Sequence, residues 1–318
     1  MTKIGFIGLG IMGEGMVNCL LKDGIAGTPT TPLLIWNRTT SKCDNLKTSS
    51  HPDKTIEIKS SAKEVVSNCD IVFSMLSTPE ASAAVFNDAT SGTLAGVSSN
   101  SVIIDCATLA ESDMKRMSDQ VTARGGKFLE APVSGSKGPA HGGQLIFLCA
   151  GSKEVFDNGI VQSALNAMGK ANHYFGEEVG KATRAKLVVN SLMGTMMAAF
   201  GESLALAESL DLDGSKMLEV FSQGAIATPM YALKGPKMLK KDHAPNFPLC
   251  HAHKDMKLAV DAAKSVGVEY SVTQVAEETF RKAREDDELN VANEDFSAVF
   301  EKIHKESKSE FSKNRKLG

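Results

Sequence analysis

No two of the six cysteines, at positions 19, 43, 69, 106, 149 and 250, form a Cys-x-x-Cys pair. Metal-ligand spacing is therefore missing, and without a secretory signal these residues read as reduced thiols. Charge of one sign is missing as well. The 35 basic and 38 acidic residues leave a net charge of −3, and no run of Lys and Arg suggests a nucleic-acid partner. Long hydrophobic runs are also lacking. The longest late one, Leu187 to Phe200, is about 14 residues, short for a membrane span, and contains Asn190. Ile4 to Met12 imitates the apolar core of a signal peptide, but three glycines interrupt it, with no basic flank and no small-residue cleavage site. The expectation is a soluble, cytoplasmic protein with no signal or transit peptide, no membrane contact and no bound metal. Lys305 to Lys316, locally basic and polar, reads as a frayed tail.

What is present is ordinary globular composition, 42% hydrophobic and 23% charged over 318 residues, enough for two domains. Lys3–Ile7, Leu33–Trp36, Ile71–Leu76, Val102–Asp105 and Lys127–Glu130 read as strands. Helical periods at Glu14–Lys22, Thr39–Leu46, Ser61–Ser67, Pro79–Phe86 and Ser112–Arg124 lie between them. Strands alternating with helices imply a doubly wound, parallel α/β sheet of Rossmann type. After about residue 175 the pattern changes. Thr183–Leu210 reads as one long helix, followed by Gly214–Phe221, Lys254–Val266, Ser271–Arg284 and Phe296–Lys302, with no strand among them. The expected domains are a nucleotide-binding domain over 1–175 and an all-α domain over 176–318.

Gly8-Leu9-Gly10-Ile11-Met12-Gly13 follows a strand and opens a helix. In that setting the first glycine permits the turn, the second admits a pyrophosphate and the third packs helix on strand. Free N–H groups and the helix dipole then favour phosphate. The second strand ends in Asn37, Arg38 and Thr39. No carboxylate stands there to bind a ribose 2′-hydroxyl, whereas the Arg38 guanidinium matches a 2′-phosphate, so NADPH/NADP+ is the expected cofactor.

Two further motifs carry chemistry. Glu130-Ala-Pro-Val-Ser134-Gly135-Ser136 ends a strand in a Gly/Ser-rich loop whose N–H groups and Ser134 hydroxyl suit a carboxylate. Lys186 and Asn190 lie four apart, hence on one helix face, among Leu187, Met193 and Met197. A lysine in such company is a credible proton donor. His251-Ala-His253 lacks a third ligand and does not share a helix face.

In this order, the G-L-G-x-M-G start, the A-P-V-S-G loop, the K-x-x-x-N helix and Lys254-Asp255 resemble the β-hydroxyacid dehydrogenase family over about residues 3 to 300. That family includes 3-hydroxyisobutyrate and 6-phosphogluconate dehydrogenases. Ser134–Ala140, Gly142–Ile146, Gln223–Tyr231 and Lys234–Met238 resemble its glyoxylate/succinic semialdehyde reductase branch. The resemblance implies cofactor contacts from the phosphate loop, Asn37, Arg38, Met75, Leu76 and Lys254, with Thr108 near the nicotinamide. It also implies that Ser134, Gly135 and Asn190 hold the substrate, that Lys186 is the acid/base, and that Asp255 shapes the site. Two positions depart from the family pattern: Ala107, where a Ser is usual, and Ala182, where a Gly is usual.

The expected function is NADPH-dependent reduction of small 2-oxo or semialdehyde acids by a homo-oligomer, dimer or tetramer. Glyoxylate would give glycolate and succinic semialdehyde would give 4-hydroxybutyrate. The rivals are a 3-hydroxyisobutyrate-type dehydrogenase and a non-catalytic dinucleotide-binding module.

Overall fold

The computed structural model describes residues 1–50 and 53–314. Among the described residues the nine strands are β1 Ile4–Ile7, β2 Leu33–Trp36, β3 Ile56–Ile58, β4 Ile71–Ser74, β5 Val102–Asp105, β6 Lys127–Glu130, β7 Val133–Ser134, β8 Leu145–Gly151 and β9 Gly169–Tyr174. They form one sheet in the order β3-β2-β1-β4-β5-β6-β8-β7, with β9 pairing β8. From β3 to β6 every pairing is parallel. The order 3-2-1-4-5-6 is that of a dinucleotide-binding sheet, with its switch point between β1 and β4.

The central strands read as unbroken apolar runs because both their faces are covered. Ile4, Phe6, Leu33, Ile35, Ile71 and Phe73 turn to one face, against the helices Ile11–Lys22 and Gly159–Met168. Ile7, Leu34, Val72 and Ile103 turn to the other, against Ala62–Ser67 and Glu111–Thr122. The sheet is not parallel throughout. β8 runs antiparallel to both β6 and β7, and β9 runs parallel to β8. No strand is expected from the sequence between Glu130 and residue 175, so these three strands, along with the short strand β3, were missed. The two residues of β7 are too few for a periodic signal, and β8 follows a glycine-rich stretch.

Contacts divide the chain into two compact units, Met1–Lys186 and Leu187–Gly318. The second unit holds the remainder of the helix Lys181–Ser209, then Gly214–Gln223, Pro229–Lys240, Leu249–Ser265, Ser271–Arg284 and Val299–Asn314. Its core joins Met197, Phe200, Met238, Met256, Phe280 and Phe300. Among the described residues the β pairing beyond β9 is a single bridge, Pro248 with Asp295. The helix Lys181–Ser209 exceeds the apolar run seen in the sequence. It is long and apolar enough to cross a membrane by length and composition, yet half of its most apolar window is buried inside the fold.

Lys305 is not part of a frayed tail. It lies in the helix Val299–Asn314 and ion-pairs with Asp286 and Glu288, while His304 meets Glu208 at 2.7 Å. Residues 315–316 of that stretch lie outside the described residues.

Candidate active site

In the first unit, the phosphate loop is built from three glycines with three different reasons. Gly8 has φ +96°, and a Cβ there would collide with the Met75 carbonyl. At Gly13 a Cβ would strike the Gly8 carbonyl, so the helix can sit directly on the turn. At Gly10 nothing lies within 4 Å of an added Cβ, leaving an open approach to the backbone at the helix N-terminus. Gly10 caps that helix with no side-chain hydrogen bond, so its first-turn N–H groups keep their affinity for an anion.

Asn37 and Arg38, adjacent in sequence, behave differently. The Asn37 side chain is turned inward, where its Oδ1 accepts the Leu9 N–H at 2.9 Å and its Nδ2 donates to the Thr39 carbonyl at 3.0 Å. Arg38 and Thr39 are exposed. Met75 and Leu76, half-buried at the end of β4, flank Gly8 from below, and the Met75 N–H donates to the Ile7 carbonyl.

Ser134 sits half-buried at the end of β7, and a short helix, Lys137–His141, follows. That helix is fastened to the phosphate-loop helix. A Cβ at Gly15 would lie 2.8 Å from the Ala140 carbonyl carbon and the His141 nitrogen, and the Cys19 thiol donates to the Ala140 carbonyl at 3.4 Å. The sequence reading did not single out Gly15, although a second glycine close behind the fingerprint was the available signal.

Two buried carboxylates also escaped it. Asp105 and Glu130 are register partners at the ends of β5 and β6. Burial pushes Asp105 up to about 6, Glu130 adds repulsion, and hydrogen bonds from the Ala107 N–H and the Ser74 hydroxyl only partly oppose this. Ala107, the first departure from the family pattern, thus offers its N–H to Asp105 at 3.0 Å. Glu130 accepts from the Gly180 N–H at 2.6 Å, the Ala182 N–H at 3.0 Å and the Thr183 hydroxyl at 2.6 Å. Ala182, the second departure, is fully buried and packs with Leu148 and Ala150 of β8. Lys186 follows one turn later, with only 5% of its surface exposed.

In the second unit, Asn190 stands one turn beyond Lys186 on the same helix and is 4% exposed. Its Nδ2 donates to Asp255 Oδ2 at 2.6 Å, and Lys254 Nζ pairs with Asp255 Oδ1 at 2.8 Å. The two helices approach closely here because Gly194 has no side chain, and a Cβ there would strike the Met256 sulfur. His253 is engaged elsewhere, with Glu277 at 2.8 Å and Arg284 at 3.2 Å. Among the described residues, no group of three or more His, Cys, Asp or Glu is placed to hold a metal ion.

The strand order, the open glycine turn at its switch point and the following helical unit define a nicotinamide-dinucleotide oxidoreductase. Residues 3–177 match the family described as the NAD binding domain of 6-phosphogluconate dehydrogenase. Residues 180–303 match the one described as NAD-binding of NADP-dependent 3-hydroxyisobutyrate dehydrogenase. The chain is 42% identical over 302 residues to glyoxylate/succinic semialdehyde reductase 2, chloroplastic, of Arabidopsis thaliana, covering 95% of this chain and 79% of that one. It is 40% identical over 301 residues to glyoxylate/succinic semialdehyde reductase 1 of the same plant, covering 95% and 98%. The fold is that of 3-hydroxyisobutyrate dehydrogenase from Salmonella typhimurium, with a TM-score of 0.81 at 23% identity over 95% of this chain and 99% of that one. The chain belongs to the β-hydroxyacid dehydrogenase family, in its 3-hydroxyisobutyrate dehydrogenase-like group. Enzymes of this family act on CH-OH donors and on small carbonyl acids.

Proposed function

We propose that this enzyme uses NADPH to reduce small 2-oxo and semialdehyde acids, glyoxylate to glycolate and succinic semialdehyde to 4-hydroxybutyrate. The observation that carries the reading is the buried pair Lys186 and Asn190, one helical turn apart. Two reductases named for those substrates, at 40% and 42% identity, support the substrate class. Residues 1–175 serve as the nucleotide-binding domain and residues 176–318 as the helical one.

The unfilled space over Gly10 and the uncapped helix behind it fit a dinucleotide. Gly8, Leu9, Gly10, Ile11, Met12 and Gly13 hold the pyrophosphate. Arg38, with Asn37 and Thr39 beside it, takes the 2′-phosphate, while Met75, Leu76, Thr108 and Lys254 complete the cofactor contacts. When bound, the reduced nicotinamide supplies a hydride to the carbonyl carbon. Lys186 gives a proton to the forming alkoxide and stabilises its charge. Ser134, Gly135 and Asn190 hold the carboxylate and orient the carbonyl, and Asp255 fixes Asn190 by the hydrogen bond above.

The helical unit also supports self-association. Val188, Leu192, Val272 and Val275 are 59% to 72% exposed, an unusual amount of solvated aliphatic surface, and they favour a homo-oligomer. Sedimentation of the purified chain tests this, and a monomer at micromolar concentration would count against it.

NADPH oxidation with glyoxylate, succinic semialdehyde, hydroxypyruvate and methylmalonate semialdehyde tests the reaction. Fast turnover of the first two is expected. Preferential oxidation of 3-hydroxyisobutyrate with NAD+ would replace this reading with the dehydrogenase one.

A further inference from the structure

Glu130 has no role in the chemistry above, yet its burial is costly. It is fully buried, and taking a carboxylate out of water is unfavourable unless it is well paired. Burial holds its carboxyl above the ordinary range, while its three donors pull the other way. All three lie at the start of the helix Lys181–Ser209: the Gly180 N–H just before it, and the Ala182 N–H and the Thr183 hydroxyl in its first turn. The two N–H groups are among those a helix start leaves without partners, at the positive end of its dipole.

A cap that only finished the helix would come from the residue just before it, as Ser, Thr, Asp or Asn usually do. Here that position is Gly180, at φ +107°, and the carboxylate comes from a strand 50 residues earlier. Lys186 follows Ala182 by four residues and Thr183 by three, so it shares their side of the helix. Helical side chains lean toward the N-terminus, and the Lys186 stem therefore lies over the turn that Glu130 holds. In the other direction, the chain leaves β6 at Glu130 and reaches Ser134, the end of β7, four residues later.

We propose that Glu130 is the positioning residue of Lys186, locking the first turn of its helix to the strand that also leads to Ser134. The inference rests on Lys186 being the proton donor. Glu130 binds that turn by three hydrogen bonds, so rotation or sliding of the turn must break at least one. The donor nitrogen and the carboxylate-binding hydroxyl are then referenced to one fixed point. Loss of that reference should affect turnover and leave the phosphate loop alone.

The test compares Glu130→Gln, Thr183→Val and Thr183→Ser in the full chain, each also combined with Lys186→Ala. Glu130→Gln should lower kcat for glyoxylate on the order of 10- to 100-fold, the cost of slight misplacement of a reacting group. NADPH Kd by fluorescence titration should stay within about twofold, since distant sites behave independently. Thr183→Val, which loses the hydroxyl, should fall severalfold, and Thr183→Ser, which keeps it, should recover. If Glu130→Gln does not fold, the Thr183 pair makes the same comparison. In the Lys186→Ala background, none of these changes should lower the residual rate by more than about twofold, because a residue that acts through Lys186 has nothing left to position. Equal losses with and without Lys186, or near-normal turnover for both Glu130→Gln and Thr183→Val, would overturn the proposal. Near-normal turnover of Lys186→Ala alone would instead overturn the proton-donor reading, whatever the Glu130 result.

Discussion

The Leu9 main-chain N–H donates to the Asn37 side chain across 2.9 Å, tying the end of β2 to the phosphate loop. Asn37 is thus occupied on its oxygen side, and its amide nitrogen is held by the Thr39 carbonyl. Asn37→Asp would keep the first bond, lose the second and place a negative charge beside Arg38. The expected result is a roughly 10-fold weaker Kd for NADPH, with NADH binding retained or improved. Parallel losses for both cofactors would mean that Asn37 serves the loop alone.

Arg38 is exposed, and a guanidinium matches a phosphate in fork geometry. Arg38→Ala should weaken NADPH by about 10- to 100-fold, corresponding to roughly 1.5–3 kcal/mol for a charge-assisted contact. NADH should be almost unaffected. Isothermal titration with both cofactors decides the matter, and an equal effect on each would remove Arg38 from the 2′-phosphate site.

Lys186→Ala should lower kcat by about 10²–10⁴-fold, the usual contribution of general acid catalysis. Folding and NADPH binding should survive, because alanine is at home in a helix. Lys186→Arg should also be slow, since arginine does not release its proton and its planar fork has another shape. Retention of normal turnover by either variant would leave the reaction without its proton donor.

Gly15→Ala should be harmful despite alanine's higher helix propensity. The added Cβ would press on backbone atoms of Ala140 and His141 at 2.8 Å, and backbone cannot rotate away. Overpacking of this kind costs about 1–3 kcal/mol, more than the gain in propensity. Thermal melting should occur at lower temperature, and KM should rise for both NADPH and glyoxylate because the strain falls on both loops. A stabilised variant would contradict the close helix contact.

Asp105 gives the fold a pH dependence of unusual sign. Its folded value of about 6 lies above the ordinary 3.8, so between those values the unfolded chain has released a proton that the folded one keeps. Stability therefore declines as pH rises through this window and stays lower above it, by up to roughly 3 kcal/mol for a shift of about two units. Asp105→Asn keeps an acceptor for the Ala107 N–H and removes the penalty. Melting curves at pH 4 to 7 should be flatter for the variant, and at pH 7 it should be the more stable protein. Identical pH profiles would show that Asp105 ionises without cost.

Legibility in the sequence followed burial. β1, β2, β4 and β5 are apolar nearly throughout because helices cover both sides, and such runs are visible without any structure. β9, Gly-Lys-Ala-Asn-His-Tyr, lies at the margin of the sheet with several half-exposed polar residues, so its composition does not distinguish it from loop. The helix Pro229–Lys240 was hidden by Gly235-Pro236, which reads as a break. It persists because Thr228 caps it and its Gly235 is buried against Leu218 and Phe200. Of the proposed site, the glycines, Arg38, Ser134 and the Lys186–Asn190 spacing stand out as candidates in the sequence because the chemistry proposed for them is local. Glu130 was not, since its three partners lie 50 to 53 residues away and only folding brings them to it.

Cys19 gives this architecture a built-in clock. Its thiol is 5% exposed, hydrogen-bonded to Ala140, and raised in pKa by burial. An alkylating reagent meets it only in those moments when the helix Ile11–Lys22 parts from Lys137–His141, so the labelling rate counts local openings. Cys250, partly exposed, is expected to be labelled faster in the same tube and to serve as the reference. Breathing of the nucleotide-binding unit is therefore measurable in the natural sequence, with no probe introduced.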